Sequence, residues 1–153
     1  MAIPSRAKPT NASAPLLMAV YGTLRKGEAN FRRLRLGRSV RFIGPCAIQG
    51  RLYDLGAYPG LVAGDGLVRG ELIECRNPLV LRRLDVFEGF DPGDRAGSLF
   101  VRRLVRLAEP DADAWVYFYA RPGPAGGYIA SGDWVAYRTG RRRRRALRKP
   151  PRP

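Results

Sequence analysis

Glycine and proline are spaced so densely along this chain that they limit its folding to short helices and strands. The 153 residues include 18 glycines and 13 prolines. Glycine favours turns because it adopts backbone conformations closed to other residues, and proline interrupts helices and central strands because it lacks an N–H group. The patterns between these breaks predict five or six strands and two or three short helices. We therefore expect one α+β domain with a curved or barrel-like sheet.

Two segments give the clearest local signals. The apolar run Leu16–Tyr21 is continuous rather than alternating, which predicts a fully buried strand. Asn77 and Pro78 predict the start of a helix, because asparagine is a favoured N-cap and proline is tolerated in the first turn. Gly89 is expected to end that helix in a left-handed conformation. Further strands are predicted over 40–43, 47–55, 67–75, 99–107 and 114–120, and further short helices over 28–36 and 133–137.

Charge is distributed unevenly along the chain. Of 28 basic and 13 acidic side chains, which give a net charge of +15, residues 16–137 hold 17 and 13 respectively. Residues 138–153 hold nine basic side chains and no acidic one. We expect residues 1–15 to form a disordered N-terminal extension, residues 16–137 the domain, and residues 138–153 a basic disordered tail. The basic character is therefore mainly a property of the tail.

The residue types that the chain lacks exclude several kinds of chemistry. Histidine is absent, which excludes Ser-His-Asp and Cys-His catalysis and histidine-ligated zinc. Cys46 and Cys75 have no metal-ligand spacing and are expected to be reduced thiols. We therefore expect no metal and no cofactor. The apolar run at 16–21 is too short to span a membrane, and residues 1–15 lack the apolar core of a secretory signal, so we expect a cytoplasmic protein without a membrane partner.

The first predicted strand runs directly into a polar turn, Gly22–Gly27, with glycine at both ends. Glycine at position 22 lets a ligand approach the backbone, and successive free N–H groups in such a turn can bind an anion such as a carboxylate. An ordinary strand-to-helix turn has the same pattern. The residues alone leave both interpretations open.

Asp85 and Glu88 lie three residues apart, so they share one face of the predicted helix. Glu88 falls in the last turn, where the negative end of the helix dipole disfavours a carboxylate. Phe87 and Phe90 beside it would partly remove water from its carboxyl group. Both effects raise the pKa of a carboxyl, as a general acid/base requires. The alternative is a solvated glutamate at a helix end, which is equally common.

A strand rich in aromatic residues supplies a third candidate. In a strand, Trp115, Tyr117 and Tyr119 share one face. An aromatic face with two hydroxyl groups suits a small-molecule cavity, and packing within a barrel is an equally good interpretation. The pairs Arg32-Arg33 and Arg102-Arg103 are interpreted as surface charge.

Six blocks of sequence resemble, in order, those of the gamma-glutamylcyclotransferase-like superfamily. They are Tyr21–Leu24, Gly50–Val62, Val68–Leu72, Leu84–Gly89, Trp115–Tyr117 and Ser131–Trp134. The gamma-glutamylamine cyclotransferases and the plant avirulence-induced proteins are the most similar branch. Three features depart from the family pattern. The segment Gly27–Arg33, which often contains histidine in members of the family, has none here. Phe100 stands where members usually carry a tyrosine, and the arginine-rich tail is not a family feature.

The resemblance implies a small mixed β-barrel flanked by short helices, with a pocket between the Tyr21–Leu24 turn and Glu88. It implies release of 5-oxoproline from a gamma-glutamyl amine or amino acid, through attack of the α-amine on its own γ-carbonyl. Glu88 is the implied catalytic acid/base. The implied substrate-binding residues are Tyr21, Gly22, Thr23, Leu24 and Tyr119. A small-molecule gamma-glutamyl substrate is then the expected partner, with no metal and no cofactor.

Two alternatives come from other functional classes. The first is a catalytically silent small-molecule binding or regulatory protein on the same fold, an interpretation that Phe100 favours and that Glu88 disfavours. The second is accessory nucleic-acid binding through the arginine-rich segment that includes Arg141–Arg145. We give this second alternative little weight, because a run of like charge is usually a solvated tail.

Overall fold

A computed structural model describes residues 15–123 and 127–148 of the chain. Within these residues it contains five strands and four helices. The strands are β1 (Leu16–Val20), β2 (Val40–Asp54), β3 (Pro59–Cys75), β4 (Phe100–Arg106) and β5 (Asp113–Tyr119). The helices are α1 (Ala29–Arg33), α2 (Leu36–Ser39), α3 (Pro78–Glu88) and α4 (Trp134–Leu147). The predicted α+β class is confirmed.

All five strands form one mixed sheet in the order β2-β3-β1-β5-β4, which is not closed into a barrel. The pairs are antiparallel except for β1 and β5, which run parallel. The two strands predicted over 40–43 and 47–55 are one strand, because the register shift between Phe42 and Gly44 bends β2 without ending it. Strand β3 begins at Pro59, eight residues before the predicted start at Leu67.

Strand β1 lies at the centre of the sheet, and its alternate residues enter two hydrophobic clusters on opposite faces. Met18 and Val20 belong to the cluster beneath α3, whereas Ala19 and Tyr21 belong to the cluster that includes Trp134 of α4. A strand covered on both faces needs apolar residues at every position, which is why the Leu16–Tyr21 run does not alternate.

Helix α3 has the ends that its sequence predicts. The Asn77 side chain accepts hydrogen bonds from the backbone N–H groups of Leu79 and Val80, at 2.9 and 3.3 Å. Gly89 adopts φ +66° and ends the helix in the left-handed region. Leu84, on the face of α3 that packs on the sheet, is completely buried. These ends fix Glu88 as the last residue of the helix.

The structure differs from the prediction of a disordered tail after Tyr137, because residues 138–147 continue helix α4. Arg138 forms an ion pair with Glu28 at 2.6 Å, and the Tyr137 hydroxyl donates to the Asp54 carboxylate at 2.9 Å. Arginine is also a good helix former. Disorder was predicted because this segment lacks an apolar periodic pattern, whereas the helix is held to the domain by charged contacts. Residues 1–14 and 149–153 of the predicted disordered ends lie outside the described residues.

Across residues 15–123 and 127–148, no helix is both long and apolar enough to cross a membrane.

Candidate functional site

A cavity of about 280 Å³ opens where β1 ends, between the turn that follows β1 and the last turn of α3. Its lining includes four of the predicted substrate-binding residues and the predicted catalytic residue, namely Tyr21, Gly22, Thr23, Leu24 and Glu88. The fifth predicted binding residue, Tyr119, is not part of the lining. Its ring packs edge-on against Phe100, a lining residue, with the ring centroids 5.7 Å apart.

Glu88 is the one acidic residue in the cavity lining. The residue as a whole is half-buried, but burial of its carboxyl raises the pKa to about 7. Within the described ranges, no hydrogen bond or ion pair reaches this carboxylate. A carboxyl with a pKa near neutrality exchanges its proton readily at physiological pH. Glu88 therefore has the properties of a general acid/base.

The wall around Glu88 is largely apolar and explains the raised pKa. Phe87 precedes it on α3, and Leu99 and Phe100 lie beside it in the cavity lining. The negative end of the α3 dipole adds to the cost of ionising a carboxyl at this position. Phe100 is buried and also packs against Tyr58, so the departure from the family tyrosine lies in the cavity wall.

The turn after β1 contributes Gly22, Thr23 and Leu24 to the lining of the same cavity. Its hydrogen bonds run from Arg25 N–H to the Gly22 carbonyl at 3.1 Å and from Phe31 N–H to the Thr23 carbonyl at 3.3 Å. Among the described residues, the N–H groups of Gly22, Thr23 and Leu24 donate no hydrogen bond. Three successive free donors form a concave site that suits an anion such as a carboxylate.

Two contacts fix the position of this turn. The backbone N–H of Lys26 donates to the Glu71 carboxylate of β3 at 2.7 Å, and Arg25 forms an ion pair with Asp133, the N-cap of α4, at 3.1 Å. Gly22 is needed for a reason that the sequence did not reveal. A Cβ atom there would lie 2.7 Å from Cγ of Pro59, so the ring of Pro59 leaves room for glycine alone.

The Tyr21 hydroxyl is committed to the sheet. It donates to the Tyr117 carbonyl at 2.7 Å and accepts from the Leu61 N–H at 3.3 Å. Burial, with a smaller contribution from the charge of Glu88, raises the pKa of Tyr21 well above its ordinary value. Tyr21 therefore shapes the cavity with its ring and backbone, while its hydroxyl joins three strands.

Asp85, one turn before Glu88 on α3, is fully paired. Arg102 of β4 binds it with two N–H groups, at 2.8 and 3.1 Å, and the Tyr117 hydroxyl donates to it at 2.6 Å. The guanidinium of Arg102 also lies over the ring of Trp115, 4.4 Å from the centroid. These contacts fix the end of α3 to β4 and β5.

The interpretation of Arg102 as surface charge was wrong, because its side chain is largely buried against Asp85. The burial of β4 does not alternate, since Phe100 and Val101 are both buried and Leu104 is exposed, so the strand pattern gave no signal for Arg102. Sequence reasoning also missed Asn30 and Arg33 of α1, which line the cavity. Arg33 is exposed and adds a positive charge at this edge.

The described residues contain no group of three His, Cys, Asp or Glu side chains that could hold a metal ion. Cys46 and Cys75 are free and buried, as expected of reduced thiols. Burial raises the pKa of the Cys46 thiol to about 12 and that of the Cys75 thiol to about 11. Both thiols are therefore protonated near neutral pH and poorly nucleophilic.

Comparison with known proteins shows a family match and several similar relatives. Residues 18–136 match the family described as gamma-glutamyl cyclotransferase, AIG2-like. The chain is 34% identical over 117 residues to the gamma-glutamylcyclotransferase family protein YtfP of Escherichia coli (strain K12), which covers 76% of this chain and 93% of that protein. It is also 34% identical over 124 residues to the gamma-L-glutamyl-butirosin B gamma-glutamyl cyclotransferase of Niallia circulans, covering 78% of this chain and 75% of the relative.

The fold also has a solved counterpart. The solution NMR structure of protein ytfP from Escherichia coli aligns with a TM-score of 0.59 and 31% sequence identity, covering 80% of this chain and 99% of that chain. The similarity therefore includes both the sheet and the cavity-bearing segments between residues 18 and 136.

Proposed function

The chain belongs to the gamma-glutamyl cyclotransferase, AIG2-like family and is an enzyme of the gamma-glutamylcyclotransferase type, and we propose that it releases 5-oxoproline from a gamma-glutamyl amine or gamma-glutamyl amino acid. One observation supports this proposal above the others. A single unpaired carboxyl, Glu88, shares a cavity with three backbone N–H groups that have no hydrogen-bond acceptor among the described residues.

The proposed reaction is intramolecular and moves two protons from the substrate's amine nitrogen to the leaving nitrogen. The substrate's α-ammonium group first loses a proton to the Glu88 carboxylate and becomes a nucleophile. Its nitrogen attacks the γ-carbonyl carbon and closes a five-membered ring. The bond between that carbon and the leaving nitrogen then breaks, as Glu88 gives this proton to the leaving amine. The ring nitrogen then gives its second proton to the freed Glu88 carboxylate, which passes it to the released amine and leaves a neutral lactam. A carboxyl with a pKa of about 7 suits both steps, because it accepts and donates a proton at nearly equal cost near neutral pH.

In this proposal the turn after β1 positions the substrate. The free N–H groups of Gly22, Thr23 and Leu24 bind the α-carboxylate, which leaves the α-amine close to Glu88. The positive charge of Arg33 at the cavity edge also attracts an anionic substrate. The turn holds the substrate in a bent conformation, with its α-amine next to its γ-carbonyl. Ring closure then requires little further loss of conformational freedom, and such positioning supplies much of the rate enhancement.

The test is an assay of 5-oxoproline release by the purified full-length protein across gamma-glutamyl amino acids and gamma-glutamyl amines. We expect turnover of at least one class. Two matched compounds serve as controls. An N-acetylated substrate lacks the nucleophilic amine, and an α-linked isomer lacks the γ-amide, so neither should react.

A catalytically silent binding protein is the second candidate, because Phe100 removes a hydroxyl group from the cavity wall. It predicts that gamma-glutamyl compounds bind, as measured by calorimetry, while no 5-oxoproline appears with any of them. That result would overturn the enzymatic proposal.

A further inference from the structure

Helix α4 has two halves with different surroundings. The first half is anchored to the domain, because Trp134 is buried and the side chains of Arg138 and Arg141 form ion pairs with Glu28 and Asp54. The second half, residues 142–147 together with the C-cap Arg148, carries five exposed arginines, Arg142, Arg143, Arg144, Arg145 and Arg148. Within the described part of the chain, none of these five forms an ion pair or a side-chain hydrogen bond.

The second half of α4 is electrostatically costly as it stands. Residues 142–148, the last six residues of the helix and its C-cap, span about 10 Å, so five positive charges lie within that length. Like charges three or four residues apart on a helix, such as Arg142 and Arg145, repel each other. Glu28 and Asp54, the acidic side chains that reach this helix, pair with Arg138 and Arg141, and among the described residues no acidic side chain pairs with the five arginines beyond them. A local arrangement that breaks a physical rule without compensation indicates a partner that supplies it.

The chemistry of the patch narrows the class of partner. Arginine binds phosphate through two parallel N–H groups and is weakly hydrated, so it suits a row of phosphates. A helix that lies in a membrane interface needs an apolar face. The second half of α4 contains Ala146 and Leu147 as its apolar residues, which is too little for such a face.

We propose that the second half of α4 is a docking surface for the phosphate backbone of nucleic acid, bound without regard to base sequence. The sequence alone favoured a solvated tail. The structure changes this interpretation, because four of the five arginines lie on a helix that is fixed to the domain at its other end, and the fifth is the C-cap of that helix. No residue of α4 lines the cavity, so this surface is separate from the proposed active site.

The experiment measures fluorescence anisotropy of a labelled 20-base-pair duplex of mixed sequence, titrated with the full-length protein from low to physiological salt. The variant replaces Arg142, Arg143, Arg144 and Arg145 with glutamine. The control replaces Arg32, Arg38, Arg69 and Arg82 with glutamine, which are exposed arginines spread over the domain. Both variants lose the same total charge, and circular dichroism checks that each is folded.

We expect the α4 variant to bind the duplex at least about tenfold more weakly, and the slope of log K against log salt to fall in magnitude by ~2–4. The control variant should retain most of its affinity, and a second duplex of different sequence should bind equally well. Equal weakening by the two variants would overturn the proposal, because it would reduce the effect to net charge. Binding to phosphatidylserine vesicles but not to the duplex at the same salt would also overturn it.

Discussion

Two carboxylates three residues apart on α3 have opposite environments. Asp85 accepts hydrogen bonds from Arg102 and Tyr117 and is part of a buried ion pair. Glu88 has no such partner among the described residues and faces a largely apolar cavity wall. The comparison shows how one helix can carry a structural and a chemical carboxylate. Partners make a buried charge stable and inert, whereas their absence leaves a carboxyl that takes up and releases a proton near neutral pH.

The largest expected difference between the two sites is in turnover. Replacing Glu88 with glutamine keeps the shape but removes the proton shuttle, so 5-oxoproline release at saturating substrate should fall by ~10²–10⁴-fold. Asp85→Asn should lower turnover by less than about tenfold, measured at a temperature where the variant is folded. Glu109→Gln is the matched control for the substitution itself, because Glu109 is exposed. Equal losses from Glu88→Gln and Asp85→Asn would break the distinction between the two carboxylates.

The next largest effect is on stability, and here the substitution of Asp85 has the larger effect. Asp85→Asn leaves Arg102 buried without its counter-charge, which should lower the free energy of unfolding by about 3 kcal/mol. Chemical denaturation at pH 7 provides the measurement. A loss below about 1 kcal/mol would place this pair with weak surface ion pairs and remove its proposed role in anchoring α3.

The smallest effect is a gain in the free energy of unfolding from Glu88→Gln. Since burial raises the folded-state pKa to about 7, the folded protein keeps this proton at pH values where the unfolded chain has lost it. Stability therefore falls as pH rises from about 4.5 to about 7, and the whole penalty is present above that range. Glu88→Gln should be more stable than the wild type by about 1–3 kcal/mol at pH 8 and nearly equal at pH 4. Denaturation curves at both pH values sharpen the comparison, and a loss of stability at pH 8 would count against it.

Local signals explain what could be predicted from the sequence. Asn77 and Gly89 define the ends of α3 through their own backbone and side-chain preferences, so the position of Glu88 at the helix end was predictable. The continuous run Leu16–Tyr21 predicted the central strand for the same reason. Gly22 and its place after a buried strand also predicted the turn after β1, but not whether that turn binds a ligand.

Features that depend on distant partners could not be predicted in this way. Arg102 pairs with a residue 17 positions away on another element, and only the register of β4 brings the two together. Helix α4 lacks an apolar pattern beyond its first turn and is held by ion pairs to Glu28 and Asp54, more than 80 residues away in sequence. The Tyr21 hydroxyl is similar, since its partners lie on two other strands.

The most direct test of this account is a titration of Glu88 itself. The chain has five glutamates, so ¹³C labelling at the glutamate carboxyl should give five signals, and the Glu88→Gln variant identifies the one of interest. Carboxyl chemical shifts would be followed from pH 3 to pH 9 in the full-length protein without ligand. We predict a midpoint of about 7 for Glu88, set by burial without a compensating partner. A midpoint near 4.3, the ordinary value for glutamate, would contradict the account, because a carboxylate of that pKa is a poor base for taking the proton from the α-ammonium in the first step.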